Sequence, residues 1–132
     1  MASQLNPYIS FKDSAQAAME FYKSVLGGEL TISKFSDMGG EGDGVMHSSL
    51  VTSDGFVLFA ADTPEGMDYT PAAGISISLS GDDESLRGYF DGLADGGTVT
   101  MPLEKQVWGD EFGMVLDKFG ISWMVNISPA SA

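Results

Sequence analysis

One short segment occurs twice in this chain, and the repeat limits the folds that the chain can adopt. Residues 21–28 read FYKSVLGG, and residues 90–97, which lie 69 positions later, read FDGLADGG. Each copy ends an amphipathic stretch with two glycines, which readily take the left-handed conformation found after many helices. Each copy also follows a run in which apolar and polar residues alternate, as in a half-buried strand. The pattern predicts a small unit that has been duplicated and fused.

The first unit reads as a strand, a helix and three further strands. Residues 15–26 carry apolar side chains three and four positions apart, which is typical of a helix with one buried face. Asp13 followed by Gln16 matches the capping-box pattern that starts a helix. A Ser-Asp-Gly turn at residues 53–55 joins the last two strands into a hairpin. The predicted strands are residues 6–11, 30–35, 45–52 and 56–61.

The same order of elements recurs after a predicted linker of residues 63–73. Ser80 or Asp82 is expected to cap the second helix, which ends at Gly96 and Gly97. The predicted strands of the second unit are residues 74–80, 98–102, 113–117 and 121–127.

We therefore expect a single domain of residues 1–132 that contains two βαβββ modules. Module one covers about residues 5–62, and module two covers about residues 74–128. Four strands and one helix cannot bury both faces of a sheet, so we expect the modules to pack side by side. The predicted fold class is α+β, with the two tandem modules forming a cupped, mixed eight-stranded sheet and the helices outside it.

Charge and composition argue against several classes of function. The chain has 19 acidic and 6 basic residues, which give a net charge of -13. Such a chain repels phosphate backbones and anionic lipid, so we expect neither nucleic acid nor a membrane as a partner. It has no apolar run long enough to span a membrane, no signal-peptide pattern at its start and no cysteine. These features predict a cytoplasmic protein.

Three further segments carry a resemblance to a known family. They are FYKSVLGGEL, VMHSSL and the closing run MPLEKQVWGDEFGMVLDKFGISWMVNI. Together they resemble the glyoxalase/bleomycin-resistance/extradiol-dioxygenase superfamily, also called vicinal oxygen chelate proteins, and within it the PhnB-like branch. The resemblance covers about residues 5–128. It implies paired βαβββ modules, a cupped mixed sheet and often a homodimer whose sites lie in the two cups.

The resemblance also raises the question of a metal ion. Metal-dependent members bind a divalent ion through side chains of the first and fourth strands of each module, usually His, Gln or Glu. The duplicated pattern places these positions near Pro7 and Phe59 in module one, and near Ser76 and Met124 in module two. None of these residues is a ligand that zinc, iron or manganese prefers. We therefore expect neither a metal site nor a cofactor.

Some members of this branch carry a demethylubiquinone methyltransferase label. A Rossmann-type methyltransferase needs a glycine-rich loop directly after its first strand. Here Phe11 is followed by KDSAQAAMEFY, which contains no glycine. The sequence therefore does not support that activity.

The predicted ligand-binding residues are His47, Trp108, Phe59, Met124 and Ser76. His47, the only histidine, either binds or protonates a ligand or is a strand residue without a task. Trp108 either clamps a flat or apolar ligand at the rim of a cup or packs in a core or dimer interface. Phe59 and Met124 either form a dry apolar floor or fill the space that metal ligands would occupy.

Several other residues with chemically capable side chains are predicted to have structural roles. Trp123 is predicted to lie in the core, and Asp110 and Glu111 are predicted to be solvated acids of a loop. The methionines in strand-like runs are expected to fill core gaps, although they would also suit an adaptable apolar pocket. No residue is predicted to be catalytic, because no nucleophile motif is present and the lone histidine has no visible orienting partner.

Two functions remain open at this point. The favoured hypothesis is a homodimer that captures a small organic molecule, cationic or aromatic, in a metal-free cup, as the antibiotic-binding members do. The alternative is a metal-dependent lyase, isomerase or dioxygenase of the same superfamily, with the ion held by His47 and residues placed elsewhere, or by both chains of a dimer. A third possibility is a fold that has kept no ligand.

Overall fold

The computed structural model describes residues 3–40, 42–64 and 66–129. The chain divides into two compact units, Met1–Pro71 and Ala72–Ala132. Each unit contains a strand, a helix and three further strands, so the predicted α+β class and the two tandem βαβββ modules are confirmed. The strands form one four-stranded sheet in each module. In the described part of the chain, no helix combines the length and the apolar character needed to cross a membrane.

Module one is a mixed sheet with one helix. Its strand order is β1-β4-β3-β2, in which β1 runs parallel to β4 and the other neighbours are antiparallel. A 3-10 helix, Phe35–Met38, follows β2. The elements are β1 (Tyr8–Phe11), α1 (Ala15–Leu26), β2 (Glu29–Lys34), β3 (Val45–Val51) and β4 (Val57–Asp62).

One face of the first sheet is covered by α1, which contacts β2, β3 and β4. The helix buries Ala18, Met19 and Tyr22 there completely. Burial alternates along β4, where Leu58 and Ala60 point to the core and the residues between them are partly exposed. The alternation leaves a second face, here called the helix-free face, which carries the side chains that do not serve the core.

Module two repeats this topology. Its strand order is β5-β8-β7-β6, again with the first strand parallel to the last and the other neighbours antiparallel. The helix contributes Leu86, Phe90 and Leu93 to the core, and Trp123 is buried as predicted. The elements are β5 (Ser76–Gly81), α2 (Ser85–Ala94), β6 (Thr98–Lys105), β7 (Glu111–Leu116) and β8 (Ser122–Ile127).

The repeated glycine pairs have a steric cause in both modules. A Cβ atom on Gly28 would lie 2.0 Å from the carbonyl oxygen of Val51, and one on Gly97 would lie 2.3 Å from that of Leu116. Both distances are shorter than any side chain tolerates, so the chain leaving each helix passes against the end of a neighbouring strand. Only glycine allows this close approach.

The start of α1 differs from the prediction. Its N-cap is Ser14, which makes no side-chain capping bond, and Asp13 has a positive φ of 63°. The acceptor for the first helical N–H comes instead from β4, because Asp62 Oδ1 accepts a hydrogen bond from the Ala15 N–H at 2.9 Å. A residue distant in sequence has replaced the local cap.

The start of α2 and the length of β6 also differ from the prediction. Neither Ser80 nor Asp82 caps α2; Asp83 Oδ1 accepts a bond from the Ser85 backbone N–H at 2.9 Å. That backbone bond is the main reason that the pKa of the Asp83 carboxyl is lowered.

The strand β6 continues past Pro102 to Lys105. Proline is tolerated there because β6 lies at the edge of its sheet and its pairing with β7 is irregular.

Candidate functional site

Three aromatic rings meet on the helix-free face of module one. The parallel register of β1 and β4 places Tyr8 beside Phe59, and β3 brings His47 next to both. The ring centroids of His47 and Phe59 lie 4.9 Å apart, and those of Tyr8 and Phe59 lie 5.9 Å apart in an edge-to-face arrangement. Two of the predicted site residues, His47 and Phe59, are therefore in contact. Tyr8, His47 and Phe59 are called the aromatic cluster below.

A hydrogen bond inside the aromatic cluster constrains the histidine. The Tyr8 hydroxyl lies 3.2 Å from His47 Nδ1. If the phenol donates, a neutral imidazole carries its proton on Nε2, and if Nδ1 donates, Nε2 becomes an acceptor. In either case Nε2 is the nitrogen that remains to serve a ligand. The pair can thus present one hydrogen-bonding nitrogen, a donor or an acceptor according to the tautomer, beside two aromatic faces.

A cavity of about 440 Å³ adjoins the aromatic cluster through Tyr8. Its sheet wall comes from Tyr8, Ser10, Met46 and Ala61, and its other wall includes Met67 and Asp68 from the segment after β4. This volume falls within the range of pockets that hold small organic molecules. A cavity of about 450 Å³ also lies in module one, where Lys12, Asp13 and Tyr69 line it. None of the five predicted site residues lines either cavity.

The residues of this site were only partly accessible to sequence reasoning. Tyr8 is not among the predicted ligand-binding residues, because the predicted position on the first strand is Pro7, one residue away, and a shift of one residue reverses the face of a strand. Met67 and Asp68 lie in the predicted linker, where composition carries no signal for a pocket wall. Tyr8 lies in β1 opposite Phe59. A register one residue later on the first strand would therefore have selected Tyr8 as the partner of Phe59.

The predicted site residues of module two do not form one cluster. Ser76 pairs with Ser122, and their hydroxyl oxygens lie 2.8 Å apart. Met124 lies in the next row of the same face, opposite Met114. Trp108 lies in the turn between β6 and β7, is 59% exposed, and has its ring centroid 6.2 Å from that of Phe112.

Strand geometry separates Ser76 from Trp108. Ser76 and Ser122 are paired across neighbouring strands and form one row of the sheet. Phe112 and Asn126 form another row, four residues further along β8. At about 3.3 Å per residue the two rows are about 13 Å apart. Ser76, Met124 and Trp108 therefore occupy successive parts of one face and do not surround a common point.

Two acids of this region have partners, contrary to the expectation of solvated loop residues. Asn126 Nδ2 donates to Asp110 Oδ2 at 2.9 Å. Glu111 accepts a hydrogen bond from the Arg87 guanidinium, and this contact raises the pKa of Arg87. Both acids thus serve as acceptors for neighbouring strand and helix residues, which the sequence pattern could not reveal.

The residues at the expected metal positions do not fit a divalent ion. The expected positions were near Pro7 and Phe59 in module one, where Tyr8 is the residue that pairs with Phe59, and near Ser76 and Met124 in module two. Zinc, iron and manganese prefer imidazole, carboxylate or thiolate ligands. Within residues 3–40, 42–64 and 66–129, no three His, Cys, Asp or Glu side chains are grouped so that they could hold a metal ion. The side chains at these positions therefore give no basis for chemistry at a divalent metal ion.

Fold and site together define a class of paired-module α+β proteins with ligand-sized space on the sheet face opposite the helix. Residues 4–125 match the Glyoxalase/Bleomycin resistance protein/Dioxygenase superfamily. The chain belongs to this superfamily, and it is similar to a PhnB protein within it.

Individual relatives agree with this assignment. The crystal structure of protein PA1353 from Pseudomonas aeruginosa is 36% identical, with a TM-score of 0.88 over 98% of this chain and 100% of that chain. The PhnB protein from Bacillus cereus, named as a candidate 3-demethylubiquinone-9 3-methyltransferase, is 25% identical, with a TM-score of 0.77 over 96% of this chain and 100% of that one. Protein YjdN of Escherichia coli K12 is 26% identical over 93% of this chain and 94% of its own length.

Proposed function

We propose that this protein binds a small organic molecule in the 440 Å³ cavity of module one, without the help of a divalent metal ion. The observation that carries the proposal is the position of this cavity beside the aromatic cluster. The rings of Tyr8 and Phe35 and the thioethers of Met46 and Met67 provide apolar contact area. The Tyr8 hydroxyl, which is hydrogen-bonded to His47, provides a polar contact. This combination of an apolar wall with few polar groups is typical of small-molecule sites.

Charge favours a neutral or cationic ligand. Asp68 lines the cavity, and the whole chain carries a net charge of -13. The summed field repels anions and raises the local concentration of cations. A ligand with an aromatic or apolar body, and with either no charge or one positive charge, therefore suits this site best.

Family membership supports capture in preference to methyl transfer. The superfamily's description names bleomycin resistance, and antibiotic-binding members act by stoichiometric capture without chemistry. The methyltransferase named for the relative from Bacillus cereus would need a glycine-rich loop after the first strand. Here β1 is followed by Lys12, Asp13 and Ser14 and then by α1. The segment after β1 therefore does not provide the loop that methyl transfer would need.

We also propose that the protein acts as a homodimer in the cytoplasm, as the resemblance and the composition predict. The strand orders leave β1 and β2 at the edges of one sheet and β5 and β6 at the edges of the other. Edge strands are available for association with a second chain. Ser76, Met124 and Trp108 remain predicted ligand contacts in module two.

A ligand screen with matched variants tests the cavity. Hits from a thermal-shift screen of aromatic and cationic compounds are titrated by calorimetry against wild type, Tyr8→Phe and Tyr89→Phe. We expect Tyr8→Phe to weaken binding about 2- to 10-fold, because it removes one hydrogen bond from the pair that orients the ligand. Tyr89→Phe makes the same change on α2 and leaves binding unchanged. Equal affinities for all three proteins would place the ligand elsewhere.

Metal content tests the other half of the proposal. Elemental analysis of untagged protein is made as purified, after chelation, and after reloading with zinc, nickel or manganese. We expect no stoichiometric divalent ion, because the side chains at the family's metal positions are poor ligands for these ions. One divalent ion per chain would overturn the metal-free site and favour the metal-dependent enzyme.

A further inference from the structure

A row of three methionines crosses module two on its helix-free face. Met114 of β7 lies directly opposite Met101 of β6 on one side and directly opposite Met124 of β8 on the other. The row continues to Ser78 of β5, which pairs with Met124. Three thioether side chains thus occupy consecutive positions on three adjacent strands, with Met114 at the centre. Met101, Met114 and Met124 are called the methionine row below.

Strand geometry allows the three sulfur atoms to meet. Cβ atoms of residues directly opposite in antiparallel strands lie about 4.5–5.5 Å apart and point to the same face. Methionine has three rotatable bonds, so neighbouring thioethers can turn towards one another. Register shifts flank Met101 on both sides. Irregularities of this kind redirect the side chain of an edge strand.

The methionine row is accessible from solvent. Met101 is 40% exposed, and Met114 and Met124 are half-buried. A core filler would be fully covered, as Met19 is in module one, where it has no exposed surface. The row therefore contributes less to the core than the sequence predicted, and its sulfur atoms are within reach of a solute.

Thioether sulfur selects a particular class of ligand. It is a soft donor without charge, which suits Cu(I) and not the harder ions that prefer oxygen.

We propose that Met101, Met114 and Met124 form a binding site for a soft monovalent metal ion, Cu(I), with Ag(I) as its redox-inert probe. Each methionine supplies one sulfur, and Met114 lies between the other two. The next row contains Glu104, opposite Phe112, and the chain is strongly acidic. The surrounding field therefore favours a cation.

Methionine methyl NMR tests this site in the wild-type protein. Ag(I) is added to protein labelled at the methionine methyl groups, and Zn(II) is added to a second sample. We expect one equivalent of Ag(I) to shift the signals of Met101, Met114 and Met124 and to leave those of Met46 and Met67 unchanged. Zn(II) should shift none of the three. Absence of an Ag(I) effect on the methionine row would overturn the proposal without any variant.

Competition with a chromophoric Cu(I) chelator under anaerobic, reducing conditions gives the affinity. Loss of a residue that only supports a metal ligand typically costs about 10- to 100-fold in metal affinity, so we expect loss of a ligand in Met114→Leu to weaken Cu(I) binding at least tenfold. Leucine has nearly the volume of methionine, which keeps the fold intact. Met19→Leu is the matched control, because Met19 lies in the core of module one with no exposed surface. Equal loss in both variants, or no loss in Met114→Leu, would contradict the assignment.

The outcome is independent of the organic ligand proposed for the cavity of module one, although Met124 is also a predicted ligand contact in module two. The methionine row lies in module two, and the 440 Å³ cavity lies in module one. Failure of Cu(I) binding therefore leaves the cavity proposal intact, and failure of the Tyr8→Phe titration leaves the metal proposal intact.

Discussion

Asp62 is a buried carboxylate at the end of β4, and its two oxygens bind different elements of module one. Oδ1 accepts from the Ala15 N–H at 2.9 Å, and Oδ2 accepts from the Val45 N–H at 2.8 Å. The side chain thereby supplies the helix cap that the local sequence lacks and also closes the start of β3. Carboxylates near a helix N-terminus are further stabilised by the helix dipole.

Asp117 has a corresponding task in module two. It is 3% exposed, and its oxygens accept from the Ile121 N–H at 3.0 Å and from Trp123 Nε1 at 2.8 Å. The bond to the indole explains how a tryptophan can be buried completely without an unpaired donor. Each of the two modules thus contains a buried acid that ties a turn or the start of a helix to the sheet.

Replacement of Asp62 by alanine should destabilise module one strongly. Two buried N–H groups lose their acceptor, and each such loss costs about 1–3 kcal/mol, so the free energy of unfolding should fall by about 2–6 kcal/mol. Equilibrium unfolding in urea measures the change. Asp43→Ala, in an exposed loop, should stay within about 0.5 kcal/mol of wild type. If the two variants unfold alike, the hydrogen bonds of Asp62 contribute little.

At the scale of the elements, the strongest sequence signal was the glycine pair after each helix. Helix termination explains the first glycine of a pair, since Gly27 and Gly96 both have a positive φ. The second glycine is explained by the contact of Gly28 or Gly97 with the carbonyl of a neighbouring strand. One motif thus serves both to end the helix and to let the next strand begin close to the sheet.

Alanine substitutions separate this steric effect from helix propensity. A Cβ on Gly97 would lie 2.3 Å from the Leu116 oxygen and 3.0 Å from Asp117 Cα, so we expect Gly97→Ala to destabilise by about 1–3 kcal/mol. Gly88 lies on an exposed part of α2 with nothing near its Cβ position. Gly88→Ala should therefore stabilise by about 0.5–1 kcal/mol. Thermal unfolding checks both, and stabilisation by Gly97→Ala would refute the contact.

At the scale of the whole molecule, the duplication is visible in the hydrogen bonding of the strands. The orders β1-β4-β3-β2 and β5-β8-β7-β6 are the same order with the numbers raised by four. The contents of the two helix-free faces have nevertheless diverged. Module one carries aromatic rings and a cavity, and module two carries the methionine row. Duplication preserved the scaffold and left the faces free to differ.

Sedimentation analysis tests the proposed homodimer. At micromolar concentration we expect a species of twice the chain mass. Two chains of charge -13 repel each other, so the dimer should tighten as ionic strength rises and the Debye length falls to about 10 Å at 0.1 M salt. A strict monomer at both low and moderate salt would contradict the assembly.

The sequence by itself determined the module repeat, the places of both helices and most strands, and the candidates His47 and Phe59. These features depend on side-chain periodicity and on glycine, which act over a few neighbouring residues. The predicted end of β6 was wrong, because this edge strand continues past Pro102 to Lys105.

Only the tertiary structure decided which distant groups meet. The Tyr8–His47 hydrogen bond joins residues 39 apart in sequence, and the Asp62 cap of α1 joins residues 47 apart. Strand alternation states which residues share a face but not which strands are neighbours or in what register. For the same reason, the methionine row and the partners of Asp110 and Glu111 emerged only from the strand order. The pairing of strands is a property of the whole module, and no local pattern contains it.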